Sequence, residues 1–260
     1  MDKIININNL RKNLKFFLNN KPFNHCVIDN FFEKNIAKKL EKEFPHYESN
    51  IWQAYNNPIE VKKLSNNWNL FPETTYKVFT YLNSEKFISI LSKKISKKTL
   101  YPDVGLNGGG WHIHKQGGKL NTHLDYSIHP KLNLQRKLNL IVYLNSEWKD
   151  TWGGHLGLWG NKNSKTPGKL IKSIVPIFNR AILFDTTQNS WHGLPEPIKC
   201  PKNQFRKSLA IYYLCKKPRN VSKRGKALFS PSENQKGDKS IIKLIKLRSS
   251  VRHAHKVYLK

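Results

Sequence analysis

Between residues 99 and 215 the chain alternates short apolar runs with glycine-containing turns, and this pattern constrains its fold more than any other feature. The runs are rich in β-branched and aromatic residues, and they cover positions 138–144, 170–177, 181–184 and 208–214. Glycine pairs or triplets punctuate the same segment at 108–110, 117–118 and 153–154. Several short strands at close spacing, bounded by turn residues, are typical of an all-β sandwich or barrel.

Helical periodicity lies on either side of this segment. A strand followed by a helix is predicted over 22–45, where apolar residues recur at helical spacing up to Pro45. A second helical region covers 73–97, and Ser84 restarts the helix within it. A short amphipathic helix is predicted over 241–247. The simplest packing places the two N-terminal helical regions as a buttress on the outside of a sheet.

These patterns divide the chain into three predicted parts. Residues 1–98 form a strand-and-helix extension that packs on the core, and residues 99–217 form the β core itself. Residues 218–260 form a basic C-terminal tail with a short helix, for which the Ser-Pro-Ser-Glu sequence at 230–233 is the predicted cap.

Net charge is the most unusual property of the composition. Lys and Arg number 46 against 17 Asp and Glu, which gives a formal charge of +29. A field of this size attracts polyanions at low salt, so a basic β-barrel that binds nucleic acid without catalysis is one reading of the chain. Translation of an AT-rich genome, as many viral genomes are, would also enrich Lys, and specific phosphate recognition favours Arg. Both readings stay open.

The cysteines and the apolar runs bear on the compartment. Cys26, Cys200 and Cys215 are odd in number and far apart, which argues against a disulfide framework and against a structural zinc site. No apolar run approaches the roughly 20 residues that span a bilayer. The sequence after Met1 lacks the pattern of a secretory signal. We therefore expect a cytoplasmic protein without a membrane segment.

The triplet His123-Leu124-Asp125, together with His192, provides a candidate metal-ligand set. Alternate residues of a strand face the same side, so His123 and Asp125 can both point into a pocket. Two imidazoles and one carboxylate hold non-haem Fe(II) on one face and leave positions open for substrate and oxygen. Each residue alone is more often a satisfied core or surface group. The complete order of motifs, up to the Arg-Lys-Ser sequence at 206–208, is what favours a metal centre.

From about residue 22 to residue 216 the chain resembles the Fe(II)/2-oxoglutarate-dependent oxygenases, in particular their prolyl-4-hydroxylase-like branch. The motifs that carry the resemblance are His123-x-Asp125, Tyr143-Leu144-Asn145, Gly153-Gly154, Trp191-His192-Gly193 and Arg206-x-Ser208. The resemblance implies a mainly β fold with flanking helices, in which a double-stranded β-helix (a cupin-like jelly roll) is buttressed by N-terminal helices. The pocket would lie between the two sheets, with the metal at its mouth.

The resemblance also implies roles for individual residues. The implied Fe(II) ligands are His123, Asp125 and His192. The Arg206 guanidinium would pair bidentately with the far carboxylate of 2-oxoglutarate, and Ser208, on the same strand face, would add a hydroxyl donor. Tyr143 would hydrogen-bond the same carboxylate, with a core aromatic as its alternative role. His114 would contact the cosubstrate or line the entrance, and L-ascorbate keeps the iron reduced in many relatives.

Three positions qualify the transfer from the family. Leu120 stands where prolyl hydroxylases often carry a tyrosine, three residues before the first ligand. Asp125 favours hydroxylation over halogenation, since related halogenases have a small residue there. Tyr212 stands where the nucleic-acid dealkylating branch usually carries a second arginine, so the basic charge does not indicate a demethylase.

The implied reaction is that of an EC 1.14.11-type dioxygenase. It hydroxylates an unactivated C–H bond and couples this to conversion of 2-oxoglutarate and O2 into succinate and CO2. Candidate substrates are a prolyl residue of a peptide or protein, an amino acid or a sugar. We predict that Trp159, Trp191 and Gln188 contact the substrate, with packing in the core as the alternative for the aromatics. An iron-binding jelly roll without activity is a third hypothesis, against which the intact Arg206-x-Ser208 argues.

Overall fold

The structure is a computed structural model that describes residues 3–96 and 98–257. In chain order its strands are β1 (His25–Ile28), β2 (Gln53–Asn57), β3 (Glu60–Ser65), β4 (Leu100–Pro102), β5 (Gly110–His114), β6 (Lys119–Leu120), β7 (His123–Leu124), β8 (Gln135–Tyr143), β9 (Leu156–Asn163), β10 (Thr166–Ile174), β11 (Ala181–Asp185), β12 (His192–Gly193), β13 (Arg206–Cys215) and β14 (Leu228–Phe229). Its α-helices are α1 (Ile7–Leu14), α2 (Lys34–Lys42), α3 (Glu73–Leu82), α4 (Glu85–Ile95) and α5 (Lys239–Ser249). Short 3-10 helices cover Trp68–Leu70, Asp150–Trp152, Glu233–Gln235 and Ala254–Val257. The outer ends of the predicted first and third parts of the chain lie outside the described residues, and that division stays a prediction.

The strands form two antiparallel sheets. The larger sheet has the order β1-β11-β8-β13-β5-β3-β2, with β4 paired to β13 and β6 paired to β3. The smaller sheet has the order β10-β9-β12-β7-β14. Tyr143 and Phe184 of the larger sheet pack with Leu156 and Leu158 of the smaller one, so the two sheets share a buried layer. The predicted mainly β fold with flanking helices is confirmed, and within the described residues neither sheet closes into a barrel.

The apolar runs predicted as strands are strands of these sheets. Positions 138–143 fall in β8, which ends one residue before the predicted run does, 181–184 fall in β11 and 208–214 in β13. The run predicted over 170–177 ends earlier, at Ile174 in β10. Its last residues include a proline, which has no N–H group to donate to a ladder.

Helices α2, α3 and α4 pack on the larger sheet, as predicted for the N-terminal helical regions. The helical region predicted over 73–97 is divided into α3 and α4, and the Ser84 hydroxyl accepts a hydrogen bond from the Phe87 amide at the start of α4. Leu40 of α2, Phe79 of α3 and Leu91 of α4 are fully buried in one cluster with Trp111 of β5. Burial of these apolar side chains, each worth about 1.5–3 kcal/mol, holds the helices on the outer face of the sheet.

Glu43, directly after α2, caps the next helix. Its carboxylate accepts hydrogen bonds from the amides of Thr74 (3.0 Å) and Thr75 (2.7 Å) and from the Thr75 hydroxyl (2.8 Å). The residue at the N-cap position of α3, Pro72, makes no side-chain cap bond. The carboxylate therefore accepts hydrogen bonds from amides that have no partner within the helix. Its negative charge also interacts favourably with the positive end of the helix dipole.

We expect Glu43→Ala to lower the free energy of unfolding by about 1–2 kcal/mol, because it removes this cap. Urea denaturation with an unchanged m-value measures the effect. The matched control is Glu48→Ala, which removes an exposed carboxylate 3.8 Å from Lys63 and should cost less than about 1 kcal/mol. Equal losses in the two variants would contradict the capping role.

Two features of the chain ends differ from the sequence analysis. The prediction that residues 230–233 cap the C-terminal helix is wrong: Ser232 caps the 3-10 helix Glu233–Gln235. Gly237, at a φ of +82°, then turns the chain, and Asp238 accepts hydrogen bonds from the Ser240 and Ile241 amides to cap α5. Helix α1 was not predicted. No helix of the described residues combines the length and the apolar character needed to cross a membrane.

Candidate metal centre and adjoining cavity

A cavity of about 330 Å³ opens between the two sheets. Strands β5 and β13 contribute one wall through His112, His114, Arg206 and Ser208, and His123 and His192 lie on the opposite sheet. The other walls come from β2 and β3 and from the C-terminal tail. Both sheets therefore direct polar side chains into one enclosed space.

The three predicted metal ligands meet at this cavity. β7 and β12 are neighbours in the smaller sheet, and His192 lies directly opposite His123. The Asp125 carboxylate lies 3.8 Å from His123 Nε2 through Oδ1 and 3.9 Å from His192 Nε2 through Oδ2. All three side chains are buried, and one ligand atom from each lies within 4.8 Å of the others.

Backbone carbonyls orient both imidazoles. His123 Nδ1 lies 2.9 Å from the Asn121 carbonyl, and His192 Nδ1 lies 2.8 Å from the Ser190 carbonyl. A carbonyl only accepts, so each Nδ1 carries the proton and each Nε2 has its lone pair free. The Asp125 carboxylate accepts a hydrogen bond from Asn139 Nδ2 at 3.2 Å. Two free imidazole nitrogens and a carboxylate fit a site for Fe(II).

The surroundings favour the protonation states that metal ligands need. Burial, reinforced by the neighbouring His192, lowers the pKa of His123 to about 3. Burial alone would raise the pKa of Asp125, but His192 and Arg136 outweigh it and hold that pKa below its ordinary value. At neutral pH His123 is therefore uncharged and Asp125 is ionised, as metal binding requires.

Arg206 is a buried cation on the far wall of the cavity. It is 4% exposed, its Nε donates to the Gly154 carbonyl at 2.6 Å, and a terminal nitrogen donates to the Tyr143 hydroxyl at 3.4 Å. Burial lowers its pKa, and within residues 3–96 and 98–257 no carboxylate forms a salt bridge with it. A buried charge without a counter-ion is costly, so the guanidinium fits a carboxylate supplied by a ligand.

The sequence around Arg206 leaves room for this arrangement. Gly154, at a φ of +70°, lies against the arginine stem, and a Cβ there would come within 3.0 Å of Arg206 Cδ. Ser208 is buried on the cavity wall, opposite Tyr143 on the neighbouring strand. His114 of β5 lies opposite Arg206 of the neighbouring strand β13. Neither ring nitrogen of His114 has a hydrogen-bond partner among the described residues. Burial, with Arg206 nearby, holds the pKa of His114 well below its ordinary value.

Trp159, Trp191 and Gln188 do not lie with these residues. Trp191 is fully buried, and the Trp159 ring lies over Gly157, where a Cβ would approach it to 2.5 Å. Gln188 accepts a hydrogen bond from the Asn24 amide at 2.8 Å. None of the three is among the described residues that line the cavity. Their predicted contact with substrate gains no support from these positions.

Arg136 is part of the site, and the sequence analysis missed it. Its guanidinium lies between the rings of Tyr126 and Tyr212, at 3.4 and 3.3 Å from their centroids. One terminal nitrogen is 3.7 Å from Asp125 Oδ1. Strict alternation along β8 would put Arg136 and Asn139 on opposite faces, but a bulge shifts the register between them, and both line the cavity.

The C-terminal tail also contacts the candidate ligands. Arg224 Nε donates to the Asp125 carbonyl at 2.7 Å. The Phe229 ring stacks on His123 with a centroid distance of 5.0 Å, and β14 pairs with β7 so that these two residues are opposite each other. The C-terminal tail therefore contacts both the Asp125 backbone and the His123 ring of the His-x-Asp segment.

We expect Arg224→Ala to weaken Co(II) binding by about tenfold, because loss of a group that orients a ligand costs about 10–100-fold in metal affinity. Anaerobic titration of the metal-free protein, followed by Co(II) absorption, measures this. Arg219→Ala, an exposed residue of the same tail, is the control and should bind Co(II) as the unaltered chain does. Equal affinity in both variants would show that Arg224 does not orient Asp125.

Comparison with known families places the cavity in context. The sequence model described as the 2OG-Fe(II) oxygenase superfamily matches residues 109–214, which include His123, Asp125, His192 and Arg206. Prolyl 3-hydroxylase OGFOD1 of Xenopus laevis is 27% identical over 180 residues, and the Mus musculus protein of the same name is 26% identical over 177 residues. These matches cover 69% and 67% of this chain but 33% and 30% of the relatives, so the chain spans about a third of their length.

Solved structures share the fold. A Trichoplax adhaerens prolyl hydroxylase, in complex with a peptide of a hypoxia inducible factor, superposes with a TM-score of 0.58 at 19% identity, covering 79% of this chain and 89% of that one. A Pseudomonas putida prolyl-4-hydroxylase gives a TM-score of 0.56 at 12% identity, covering 80% and 100%. At these identities the likeness concerns the jelly-roll fold.

Proposed function

We propose that this chain is a 2OG-Fe(II) oxygenase of the prolyl-4-hydroxylase-like branch, since the model of that superfamily matches residues 109–214, and that it hydroxylates a prolyl residue of a peptide or protein. The observation that carries the proposal is the meeting of His123, Asp125 and His192 in one cavity with Arg206, a buried cation without a carboxylate partner among the described residues. An iron ligand set and a cosubstrate carboxylate site are the two parts that this chemistry needs.

We assign the metal to His123, Asp125 and His192 and the cosubstrate to the wall opposite them. When bound, Fe(II) and 2-oxoglutarate supply an oxidant derived from O2, and 2-oxoglutarate becomes succinate and CO2. Arg206 would hold the far carboxylate, because its planar fork can donate two parallel hydrogen bonds. The Tyr143 hydroxyl contacts that fork, and Ser208, two residues along β13, lines the same cavity, so these two hydroxyls would complete the set of donors.

Aromatic neighbours hold the two imidazoles in place. The Phe184 ring packs on the His192 ring, and the Phe229 ring packs on the His123 ring. His114, held neutral at physiological pH by burial, would offer one donor and one acceptor to the cosubstrate without adding charge. A bound substrate that covers the cavity would protect a reactive oxidant from side reactions.

A prolyl residue is the favoured substrate because the curated relatives and the solved structures above carry that activity in their names. An amino acid or a sugar is the alternative. The test is incubation with Fe(II), 2-oxoglutarate, L-ascorbate and proline-containing peptides, with mass spectrometry for the gain of one oxygen atom from O2. Oxygen transfer to a prolyl ring supports the proposal, whereas oxygenation of only free amino acids or sugars would replace the prolyl substrate.

The polyanion-binding β-barrel is not supported by these comparisons. The sheets have free edges within the described residues, and the histidines that this hypothesis treats as incidental meet at one point. A contact of the basic surface with a polyanion, the cytoplasmic location and the use of L-ascorbate stay predictions.

A further inference from the structure

Part of the cavity lining comes from segments outside residues 109–214. These segments contribute Tyr55 of β2, Lys62 of β3, and Lys226, Phe229 and Arg248 of the C-terminal tail. These segments are not part of the region that the superfamily model matches. Recognition that is particular to this chain is therefore expected here rather than at the metal.

The side chains around the cavity carry an excess of positive charge. The cationic residues that line it are Lys62, Arg136, Arg206, Lys226 and Arg248. The carboxylates that interact with these cations are Asp125 on the cavity wall, with Glu60 and Asp103 buried behind it. Five cations against three carboxylates leave two positive charges. Fe(II) and 2-oxoglutarate carry equal and opposite charges, so this excess persists when both are bound.

Two of these cations meet at Glu60. The fully buried Glu60 carboxylate lies 2.7 Å from Arg248 Nε and 3.7 Å from Lys62 Nζ. Both cations therefore share this carboxylate. Arg136 faces Asp125, and Arg206 faces the proposed cosubstrate site, so Lys62, Arg248 and Lys226 are the lining cations that lie outside both of these pairs.

Composition does not account for this placement. A lysine-rich chain can carry its lysines on the exposed surface, where water solvates them. The Lys62 side chain is only 12% exposed and that of Arg248 only 14%. Holding two cations in a cavity wall costs desolvation free energy, which an anionic ligand between them would offset.

We propose that Lys62, Arg248 and Lys226 bind an anionic group of the substrate, a carboxylate or a phosphate, close to the residue that is hydroxylated. The inference rests on the proposed function, which supplies the reaction, and it adds the chemical class of the substrate. The site discriminates against basic peptides through repulsion by the same three side chains.

The test compares fluorescent peptides that differ only in the residues beside one proline: glutamate, phosphoserine, glutamine or lysine. The protein is loaded with Mn(II), which does not turn over, and with 2-oxoglutarate, and binding is measured by fluorescence anisotropy. We expect a glutamate or phosphoserine peptide to bind about tenfold more tightly than the glutamine peptide, the effect of one charge-assisted hydrogen bond. The lysine peptide should bind most weakly, and the two acidic peptides distinguish a carboxylate from a phosphate as the preferred group.

Lys62→Met should remove most of this preference, and Lys226→Met should reduce it. Arg248 continues to pair with Glu60 in Lys62→Met, so that carboxylate keeps its partner at 2.7 Å. The control is Lys12→Met on α1, an exposed lysine near the opposite edge of the larger sheet. It corrects for attraction by the overall charge of +29, because any general effect should be the same in both methionine variants.

Several results would overturn the anion site. One is equal binding of the acidic and glutamine peptides, and another is a preference that Lys62→Met and Lys12→Met retain equally. A third is weaker 2-oxoglutarate binding in Lys62→Met with an unchanged peptide preference, which would assign the lysine to the cosubstrate. Failure of the proposed function would give a different result. An acidic peptide would then bind through Lys62, but no peptide would gain oxygen when Fe(II) and O2 are supplied.

Discussion

His192→Ala is expected to abolish Fe(II)-dependent conversion of 2-oxoglutarate and to weaken metal binding by more than about 100-fold. Loss of an orienting group already costs about 10–100-fold, and this substitution removes one of three proposed ligands. The centroid of the His192 ring also lies 4.3 Å from that of His123 and 4.7 Å from that of Phe184. Alanine at this position therefore also leaves a packing void. His192→Gln fills more of that space but lacks the imidazole, and it separates loss of the ligand from loss of packing.

Calorimetric titration with Mn(II) under anaerobic conditions measures the affinity, and circular dichroism shows whether each variant folds. The matched control is His155→Ala. The His155 imidazole lies 2.9 Å from the Ser173 hydroxyl and 2.8 Å from Asp150 Oδ1, away from the proposed ligands. Metal affinity in folded His192→Gln equal to that of His155→Ala would contradict the proposed role of His192.

The second large effect is expected at Arg206. Arg206→Lys keeps the charge but loses the planar fork, and we expect it to weaken 2-oxoglutarate binding by about 10–100-fold, the value of one or more charge-assisted hydrogen bonds. Arg206→Ala removes the charge as well and should weaken binding by at least about 100-fold. In both variants Mn(II) affinity without 2-oxoglutarate should change little, because the guanidinium donates to Gly154 and Tyr143 rather than to the three proposed ligands.

Arg180→Lys is the matched control for this substitution. Its guanidinium forms a fork with Asp29 at the surface, with nitrogen–oxygen distances of 2.6 and 3.0 Å. Replacing it removes a similar geometry far from the cosubstrate. If both lysine variants bound 2-oxoglutarate equally well, Arg206 would not hold the cosubstrate carboxylate.

The local part of the site was predictable from sequence, because it depends on short-range geometry. The His-x-Asp spacing places both side chains on one face of an extended segment, whatever the rest of the chain does. The glycine at 154 and the strand that begins at Arg206 are likewise visible as residue types in order. The meeting of His192 with His123 required the pairing of β12 with β7, which the resemblance implied and the periodicity alone did not.

Other parts of the site depend on long-range packing and could not be predicted. Arg136 enters the cavity only because a bulge shifts β8 by one residue relative to β13. Lys62 and Arg248 are far apart in the sequence, and both lie close to Glu60. Periodicity gives no sign of which strand edge a polar tail will cover. The same limit applied to Trp191, whose sequence neighbour His192 lies at the cavity while its own ring is buried away from the lining.

The central claim is that the gathered ligands and Arg206 form a working 2-oxoglutarate oxygenase site. Its most direct test is to prepare the chain anaerobically, add Fe(II) and 2-oxoglutarate, admit O2 and follow succinate without any added substrate. The account predicts slow formation of succinate by the unaltered chain and none by His192→Ala or Arg206→Ala. Absence of succinate and of iron uptake in the unaltered chain, with the same behaviour in both variants, would contradict it.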